Sequence, residues 1–256
     1  MNIYEKILSN KDKTFSIDRY VNKPINLNRR DIVNIIQYHK NDYLLAAKAD
    51  GIRCLLLIYN NQLYKVMNRC VVFVSKIDIN NMIIDGELIN ETYIAFDILY
   101  MDNYNYLLSK RLEYLHMISN KIPYIIVREL FRLDELKKVK CEFRCDGIIF
   151  VPIKDNLITY KWKPIEKLTI DFQVKKYEDK LILCVSNEKG VKGFRINNML
   201  YSVKGFKEDD IVECRYENDN FIPIRLRKDR IYPNYKDIAL SIFDNIKDYF
   251  TLDQYL

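Results

Sequence analysis

Short apolar runs separated by polar turns dominate the chain up to residue 100. A helical apolar pattern at 28–40 comes first, and strand-like runs follow at 43–48, 53–59, 62–67, 70–74, 81–85 and 92–100. Runs of this length between polar turns are typical of β-strands. Asn60-Asn61 separates two of them and is a hairpin turn signal. We therefore predict one helix followed by a mostly antiparallel sheet system.

The rest of the chain repeats this alternation on a smaller scale. Helical patterns at 109–122 and 133–139 precede strand patterns at 146–152 and 157–164. Several short strands then follow between Phe172 and about Arg230, which fits a small barrel such as an OB-fold. The last apolar pattern, at 236–250, is helical. The expected fold class is α+β, with domains at 1–172 and 173–235 and a terminal helix at 236–256 that could pack on the first domain.

Composition narrows the function only slightly. The 256 residues carry a net charge of +6 and a pI of about 8.8, which suits either a polyanionic partner or a merely solvated basic surface. No apolar stretch reaches the length of a membrane span, and the first residues lack a secretory pattern. We expect a soluble intracellular protein of the nucleus or cytoplasm, a viral factory included.

The cysteines do not indicate a metal site. Of the six, only Cys141 and Cys145 are close in sequence, and a zinc site would need two more ligands. His39 and His116, the two histidines, are far from this pair. In a reducing compartment we expect all six cysteines to be free thiols.

Two motifs in the first region place polar side chains beside glycine. Lys48 ends an apolar run before Asp-Gly, where a lysine can act as an amine nucleophile once it has lost its proton. Asp85-Gly86-Glu87 puts two carboxylates in an apolar strand, where Glu87 could bind ribose hydroxyls or a metal. An ordinary strand end and a solvated hairpin turn are the alternatives.

Further motifs suit a nucleotide. Phe96 could stack on a base, although a core phenylalanine is the alternative. Asp146, before an apolar strand, could hold Mg²⁺ through water or could be a turn residue. Lys161 and Lys163 alternate on one strand face, as do Arg225 and Arg227 on a later one. Such pairs of cations could bind phosphate groups, and the alternative is that they lie on a strand face exposed to solvent.

Taken in order, these motifs closely resemble those of the covalent nucleotidyltransferase superfamily. It comprises mRNA capping guanylyltransferases, ATP-dependent DNA ligases and RNA ligases, and the resemblance runs from about Lys48 to Asn234. DGIIF at 146–150, KWKP followed by TIDF, and RLRKDRIYPN at 225–234 resemble the capping-enzyme forms. Arg230 departs from the usual lysine, and Asn68 stands before Arg69 where many capping enzymes have aspartate.

The resemblance implies a fold and a role for each matching residue. The first domain would be an antiparallel-sheet nucleotidyltransferase domain of ATP-grasp-like type, joined to the OB-fold so that the two can open and close. Lys48 would attack the α-phosphorus of GTP, Arg53 and Glu87 would contact the ribose or its neighbourhood, and Phe96 would stack on guanine. Asp146 would support the metal. Lys161 and Lys163 would be catalytic, holding the α-phosphate and neutralising the charge that develops there. The remaining GTP-binding residues would be Arg69, Asp171, Arg225, Arg227, Asp229 and Arg230.

The expected activity is transfer of GMP to the 5′-diphosphate end of RNA with Mg²⁺ or Mn²⁺, held by Asp146 and by Glu87 through water. A separate RNA triphosphatase and a cap methyltransferase are the expected partners, because no motif for either is visible. Three alternatives stay open: an ATP-dependent polynucleotide ligase, an inactive relative that serves as a binding module, and a basic α+β protein without nucleotide chemistry.

Overall fold

The structure, a computed structural model, describes residues 3–9, 21, 23–67, 70–101 and 106–256. Arg69, predicted to bind GTP, lies outside these ranges. The chain divides into two compact units, and the boundary in the sequence falls between Trp162 and Lys163. Asn26–Ile32 belongs to the second unit and Tyr255–Leu256 to the first.

Up to Trp162 the described chain is mostly β-strand with three α-helices. The helices are α1 (Ile3–Ser9), α2 (Arg29–Tyr38) and α3 (Leu108–Ser119). The strands are β1 (Ile25–Asn26), β2 (Tyr43–Ala49), β3 (Ile52–Tyr59), β4 (Gln62–Met67), β5 (Cys70–Lys76), β6 (Met82–Ile89), β7 (Thr92–Met101), β8 (Ile125–Val127), β9 (Phe131–Arg132), β10 (Cys145–Pro152) and β11 (Tyr160–Trp162).

These strands form two sheets. One has the order β5-β4-β3-β6-β7-β8, and all its pairs are antiparallel except β7 with β8. The other has the order β1-β11-β10-β2-β9. Asn60 and Asn61 both have positive φ, 49° and 59°, in the two-residue turn between β3 and β4. Two left-handed residues match the twist of a tight hairpin, so the predicted turn is confirmed.

The main core of the first unit lies between α3 and the first sheet. Leu115 and Ile118 of α3 pack with apolar side chains of β3 and β6 such as Leu56 and Ile84. In the second sheet, strand β2 is largely buried, and its Leu45 side chain is 0 % exposed. The predicted mostly antiparallel arrangement is confirmed by the strand pairing.

The second unit is also mostly β. Its strands are β12 (Thr169–Tyr177), β13 (Lys180–Asn187), β14 (Gly190–Gly193), β15 (Arg195–Ile196), β16 (Met199–Leu200), β17 (Ser202–Val203), β18 (Ile211–Glu217) and β19 (Asn220–Leu226), and α4 (Lys236–Lys247) follows them. Five strands are ordered β14-β13-β12-β18-β19, with β17 also on β13. Among the described residues no pairing joins β14 to β19, so the strands do not close into a barrel.

An aromatic core holds the second unit together. Phe172 and Phe221 pack edge to face with ring centroids 5.0 Å apart. Ala239 and Phe243 of α4 lie in the same core, so this helix packs on the second unit itself. The sequence instead suggested packing on the first domain, and it placed the boundary at residue 172, which lies inside β12.

Several predicted elements differ from the observed ones. The pattern at 133–139 forms a 3₁₀ helix, Leu133–Lys138, and the strand predicted at 157–164 is limited to β11. Helix α1 and the short strands β1, β8 and β9 were not predicted. Each of the three strands has only two or three residues, and strands of that length carry almost no periodicity. Among the described helices none has the length and apolar content needed to cross a membrane.

The prediction that all six cysteines are free was wrong for one pair. Cys141 and Cys145 form a disulfide with their Cα atoms 6.2 Å apart. Cys54, Cys184 and Cys214 are buried free thiols, and Cys70 is free and exposed.

Candidate active site

Lys48 and Asp146 meet because a β-bulge aims the aspartate at the lysine. In the β2–β10 pairing Cys145 faces Ala49 and Gly147 faces Lys48, so Asp146 is an extra residue in β10. Such a residue leaves the ladder, and its side chain is redirected. The Lys48 Nζ donates a 2.7 Å hydrogen bond to Asp146 Oδ1, with the two side chains only 18 % and 12 % exposed. A primary amine is thus held beside a carboxylate.

Strands β3 and β6 bring a second group of charges to the same place. Arg53 lies opposite Glu87 in the pairing, and its guanidinium bonds to Asp85. The Gly51 backbone N–H donates a 3.0 Å hydrogen bond to Glu87 Oε2. Glycine is required at position 86 because an added Cβ would lie 2.6 Å from the Tyr93 ring and would collide with the Ile94 carbonyl oxygen.

Burial dominates the electrostatics of both carboxylates. It raises the pKa of Asp85 to about 6, although Arg53 and Arg128 lower it. Burial likewise raises the pKa of Glu87, while the Gly51 hydrogen bond and Lys48 act in the opposite direction. Carboxylates with raised pKa values in a cleft are typical of functional sites, although structural ion-pair networks produce them too.

Phe96 also occupies a bulge. In the β6–β7 pairing Asp85 faces Asp97 and Gly86 faces Ala95, which leaves Phe96 as the extra residue. Its ring lies under two guanidinium groups, Arg53 at 5.3 Å and Arg128 at 4.5 Å from the ring centroid. Guanidinium groups over an aromatic face are a favourable cation–π arrangement.

A pocket in the first unit joins these groups. Its lining includes four predicted site residues, Lys48, Arg53, Glu87 and Phe96. It also includes five charged residues to which the sequence assigned no role: Asp85, Asp97, Arg111, Arg128 and Asp155. Asp85 belongs to the Asp85-Gly86-Glu87 motif and Asp97 to the strand-like run at 92–100, whereas nothing in the sequence pattern marked the other three.

Arg111 of α3 forms ion pairs with two other residues that line the pocket. Its guanidinium bonds to both Asp97 oxygens at 2.8 and 2.9 Å and to Asp155 at 3.1 Å. These charge-assisted bonds connect α3 to β7 and to the loop after β10. Arg111 therefore stabilises the wall of the pocket with its donors already in use.

Lys161 and Lys163 lie on and just after β11. Lys161 pairs with Ile149 of β10, in the sheet that carries Lys48. Lys163 begins the longer of the two segments that form the second unit.

The remaining predicted residues form a cluster inside the second unit. Arg227 donates to both Asp171 oxygens at 3.0 and 3.2 Å and to Asp229 at 2.8 Å. Arg230 lies 2.9 Å from Asp171, and Arg225 bonds to Glu213 at 2.6 Å. The Asp171 backbone N–H donates to Asn234 Oδ1 at 2.7 Å, which ties the β12 motif to the segment after β19.

The donor set suits a hard cation that is held partly by substrate. Glu87 and Asp146 are close enough for Asp146 to raise the pKa of Glu87, and both offer oxygen ligands. No group of three or more metal-binding side chains occurs in the described residues. Magnesium usually takes one or two carboxylates together with phosphates and water, so these residues fit it.

Comparison with curated proteins gives two relatives with the same name. The mRNA-capping enzyme of Danio rerio is 23 % identical over 284 residues, covering 88 % of this chain and 47 % of the relative. That of Mus musculus is 26 % identical over 146 residues, covering 48 % of this chain and 22 % of the relative. The chain thus spans half or less of these relatives. The resemblance to capping enzymes indicated by the motifs is confirmed.

Other comparisons are more distant. No protein-family model matches the chain. The solved structure named Pmar-Lig_Pre is 15 % identical with a TM-score of 0.40, covering 76 % of this chain and 62 % of that one. The ligase domain of LigD from M. tuberculosis is 13 % identical with a TM-score of 0.35, covering 84 % of this chain and 97 % of that one.

Proposed function

We propose that this chain is an mRNA capping guanylyltransferase, which transfers GMP from GTP to the 5′-diphosphate end of RNA through a lysyl-GMP intermediate on Lys48. The observation that carries the proposal is the Lys48–Asp146 contact at a pocket that also presents Arg53, Glu87 and Phe96. Similarity to two mRNA-capping enzymes supports it.

In the first half-reaction the Lys48 amine attacks the α-phosphorus of GTP. An N–P bond forms, the bond from that phosphorus to the oxygen bridging to the β-phosphate breaks, and pyrophosphate leaves with the bonding electron pair. The ammonium loses one proton before attack and a second as the phosphoramidate forms. Asp146 Oδ1, 2.7 Å from Nζ, is placed to accept one of them.

In the second half-reaction a terminal β-phosphate oxygen of the RNA attacks the same phosphorus. The N–P bond breaks, and the Lys48 nitrogen takes up a proton as it leaves. Both steps depend on positioning and on neutralising charge more than on covalent machinery, which suits a pocket that presents the cationic side chains of Lys48 and Arg53. Because each displacement is in line, the RNA oxygen attacks from the side opposite the Lys48 nitrogen, which is the side that pyrophosphate left in the first step.

The other site residues take roles around this reaction. Phe96 contacts guanine, and Arg53 and Glu87 hold the ribose. Lys161 and Lys163 neutralise charge on the α-phosphate. Mg²⁺ or Mn²⁺, held by Asp146 and through water by Glu87, would add positive charge at the α-phosphate.

We assign the second unit to an OB-fold whose basic cluster binds the β- and γ-phosphates. Arg225, Arg227 and Arg230 supply the cations, while Asp171 and Asp229 orient them. Binding phosphate would require these guanidinium groups to exchange a carboxylate oxygen for a phosphate oxygen, which arginine does with little change in geometry. Arg69 completes the proposed GTP contacts. An RNA triphosphatase and a cap methyltransferase would supply the acceptor and process the product.

The test is covalent labelling of the full chain with α-labelled GTP or ATP and Mg²⁺, read on a denaturing gel. Label from GTP, lost in Lys48→Ala and retained in the exposed control Lys138→Ala, is the expected result. Label from ATP alone would indicate a ligase instead. Absence of label from both nucleotides would leave an inactive relative, and the proposal would fail.

A further inference from the structure

Glu213 is a carboxylate inside the basic cluster of the second unit that the reaction proposed above does not use. It lies in β18, opposite Asp171 of β12 and Arg225 of β19, so the three side chains share one face of the sheet. Only 13 % of the Glu213 side chain is exposed. The motifs along the sequence did not include this residue.

Both oxygens of this carboxylate have partners. The Thr169 hydroxyl donates to Oε1 at 2.7 Å, while Oε2 accepts from Arg225 Nε at 2.6 Å and lies 3.5 Å from Arg227 Nη1. Burial raises the pKa of Glu213, but the hydrogen bonds from Thr169 and Arg225 outweigh burial, so the pKa lies below its ordinary value. A charged carboxylate is therefore fixed at one oxygen and presents the other to two guanidinium groups.

Arg225 depends on Glu213 more than Arg227 depends on any one partner. Arg227 also pairs with Asp171 and Asp229. Within the part of the chain that the structure describes, Glu213 is the one partner of the Arg225 guanidinium. The Arg225 side chain is 63 % exposed, and a long exposed side chain without such a contact would sample many rotamers.

The contact leaves most of the Arg225 guanidinium open. Glu213 binds it through Nε, and no hydrogen bond from either Nη group occurs among the described residues. A guanidinium has only donors, and its two Nη groups carry most of them. Paired guanidinium donors match the oxygens of a phosphate. Arg225 is thus oriented by its Nε and available at its Nη groups for a phosphate.

We propose that Glu213 is a positioning residue, which holds Arg225 so that its Nη groups meet the β- and γ-phosphates of GTP. This inference rests on the proposed function, because it says how the basic cluster of the second unit is oriented. Glu213 touches no substrate and acts through Arg225, while Thr169 fixes the carboxylate. Loss of Glu213 should weaken the contacts to the pyrophosphate part of the nucleotide and leave those to guanine and ribose intact.

Competition between the carboxylate and phosphate predicts the opposite result. The three arginines of the cluster are balanced by three carboxylates, one of which is Glu213. Removal of one carboxylate leaves the cluster with a net positive charge, which attracts an anion more strongly. If Glu213 only competed with phosphate for Arg225, its removal would strengthen the binding of pyrophosphate. The sign of the effect therefore separates positioning from competition.

The test measures binding of inorganic pyrophosphate and of GMP to the full chain by calorimetry in the presence of Mg²⁺. Glu213→Ala should weaken pyrophosphate binding by about tenfold, the value of one hydrogen bond to a charged group. Glu213→Gln should recover most of this affinity, because its amide oxygen can accept from Arg225 and its amide nitrogen can donate to Thr169. GMP lacks the pyrophosphate part and should bind equally to all variants.

Two further variants separate positioning from charge and from folding. Glu217→Ala removes an exposed carboxylate of the same strand, paired with Arg215 at 3.0 Å, and should leave the affinity for pyrophosphate unchanged. Thr169→Val removes the hydrogen bond that orients Glu213 and keeps every charge, so it should also weaken pyrophosphate binding, although less than Glu213→Ala. If Glu213→Ala does not fold, Thr169→Val decides alone, and unchanged pyrophosphate binding in it would overturn the inference.

Pyrophosphorolysis of the isolated lysyl-GMP adduct gives a second readout. A pyrophosphate oxygen attacks the phosphorus, the N–P bond breaks, GTP forms again, and the Lys48 nitrogen takes up a proton. Glu213→Ala should raise KM for pyrophosphate by about tenfold with a smaller change in kcat, which indicates lost binding. A fraction of misfolded protein would instead lower kcat and leave KM unchanged, and that result would assign Glu213 to the fold.

Other outcomes would also overturn the inference. They are tighter or unchanged pyrophosphate binding in Glu213→Ala, an equal loss of affinity for pyrophosphate and GMP, and a wild type that does not bind pyrophosphate. If the wild type binds pyrophosphate but forms no adduct, the proposed function fails by itself. The pyrophosphate affinities of the variants then still decide the role of Glu213.

Discussion

Asp85 should make the free energy of unfolding depend on pH in an unusual direction. Its side chain is buried, and its pKa rises from 3.8 to about 6 because burial disfavours the charged form more than Arg53 and Arg128 favour it. The folded state therefore holds a proton that the unfolded state has lost between about pH 4 and pH 6, and stability from this group falls as pH rises. Over the whole titration this rise in pKa lowers the free energy of unfolding by about 3 kcal/mol, and about 2 kcal/mol of that loss occurs between pH 4 and pH 7.

Asp85→Asn removes this titration and keeps the shape of the side chain. Urea unfolding of the wild type and the variant at pH 4, 5, 6 and 7 measures the effect. Across this range the free energy of unfolding of the wild type should fall by about 2 kcal/mol more than that of the variant. Asp179→Asn, in the exposed turn between β12 and β13, is the control and should follow the wild-type curve. Parallel curves for wild type and Asp85→Asn, or a wild type that gains stability with pH, would refute the reasoning.

Three further predictions concern the pocket and its strands. Gly86→Ala should lower the free energy of unfolding by about 1–3 kcal/mol in urea, because the new Cβ meets the Tyr93 ring; an unchanged value would be inconsistent with the close packing. Asp146→Asn should slow adduct formation from GTP by about 10²–10⁴-fold in a single-turnover assay, the range for a lost proton acceptor, and a wild-type rate would remove Asp146 from the reaction. Phe96→Leu should lower kcat/KM for GTP by about tenfold through lost base stacking, which an unaltered value would exclude.

The motifs located the pocket along the chain, but the geometry that assembles it was not visible in the sequence. Lys48 ends the apolar run predicted at 43–48, and Glu87 belongs to the apolar strand predicted around Asp85-Gly86-Glu87; the structure has both in strands, β2 and β6. Asp146 and Phe96 reach their positions through bulges, each an extra residue in one strand of a pair. A single sequence does not reveal the register between strands, so it does not reveal where a bulge falls.

Arg128 shows a different limit. It follows Ile125–Val127, a three-residue apolar run too short to stand out, in the parallel strand beside Phe96. The signal that could have drawn attention to it is an arginine directly after an apolar run, which is common on surfaces. Only the tertiary structure shows that this arginine is buried and that its Nε has no hydrogen-bond partner among the described residues.

The Cys141–Cys145 disulfide and the packing of α4 likewise depend on backbone geometry that the sequence pattern does not give. Spacing of four residues identified the cysteines as a close pair but could not give their Cα separation. The periodicity of α4 predicted an apolar face, and the partner of that face, the aromatic core around Phe221, became visible only in the fold.

The most direct test of the account is to locate the covalent nucleotide. The full chain is incubated with GTP and Mg²⁺, digested under alkaline conditions that preserve phosphoramidates, and sequenced by tandem mass spectrometry. The account predicts GMP on the peptide that contains Lys48, attached at that lysine. GMP attached to any other residue, or an adduct that forms with ATP and not with GTP, would contradict it.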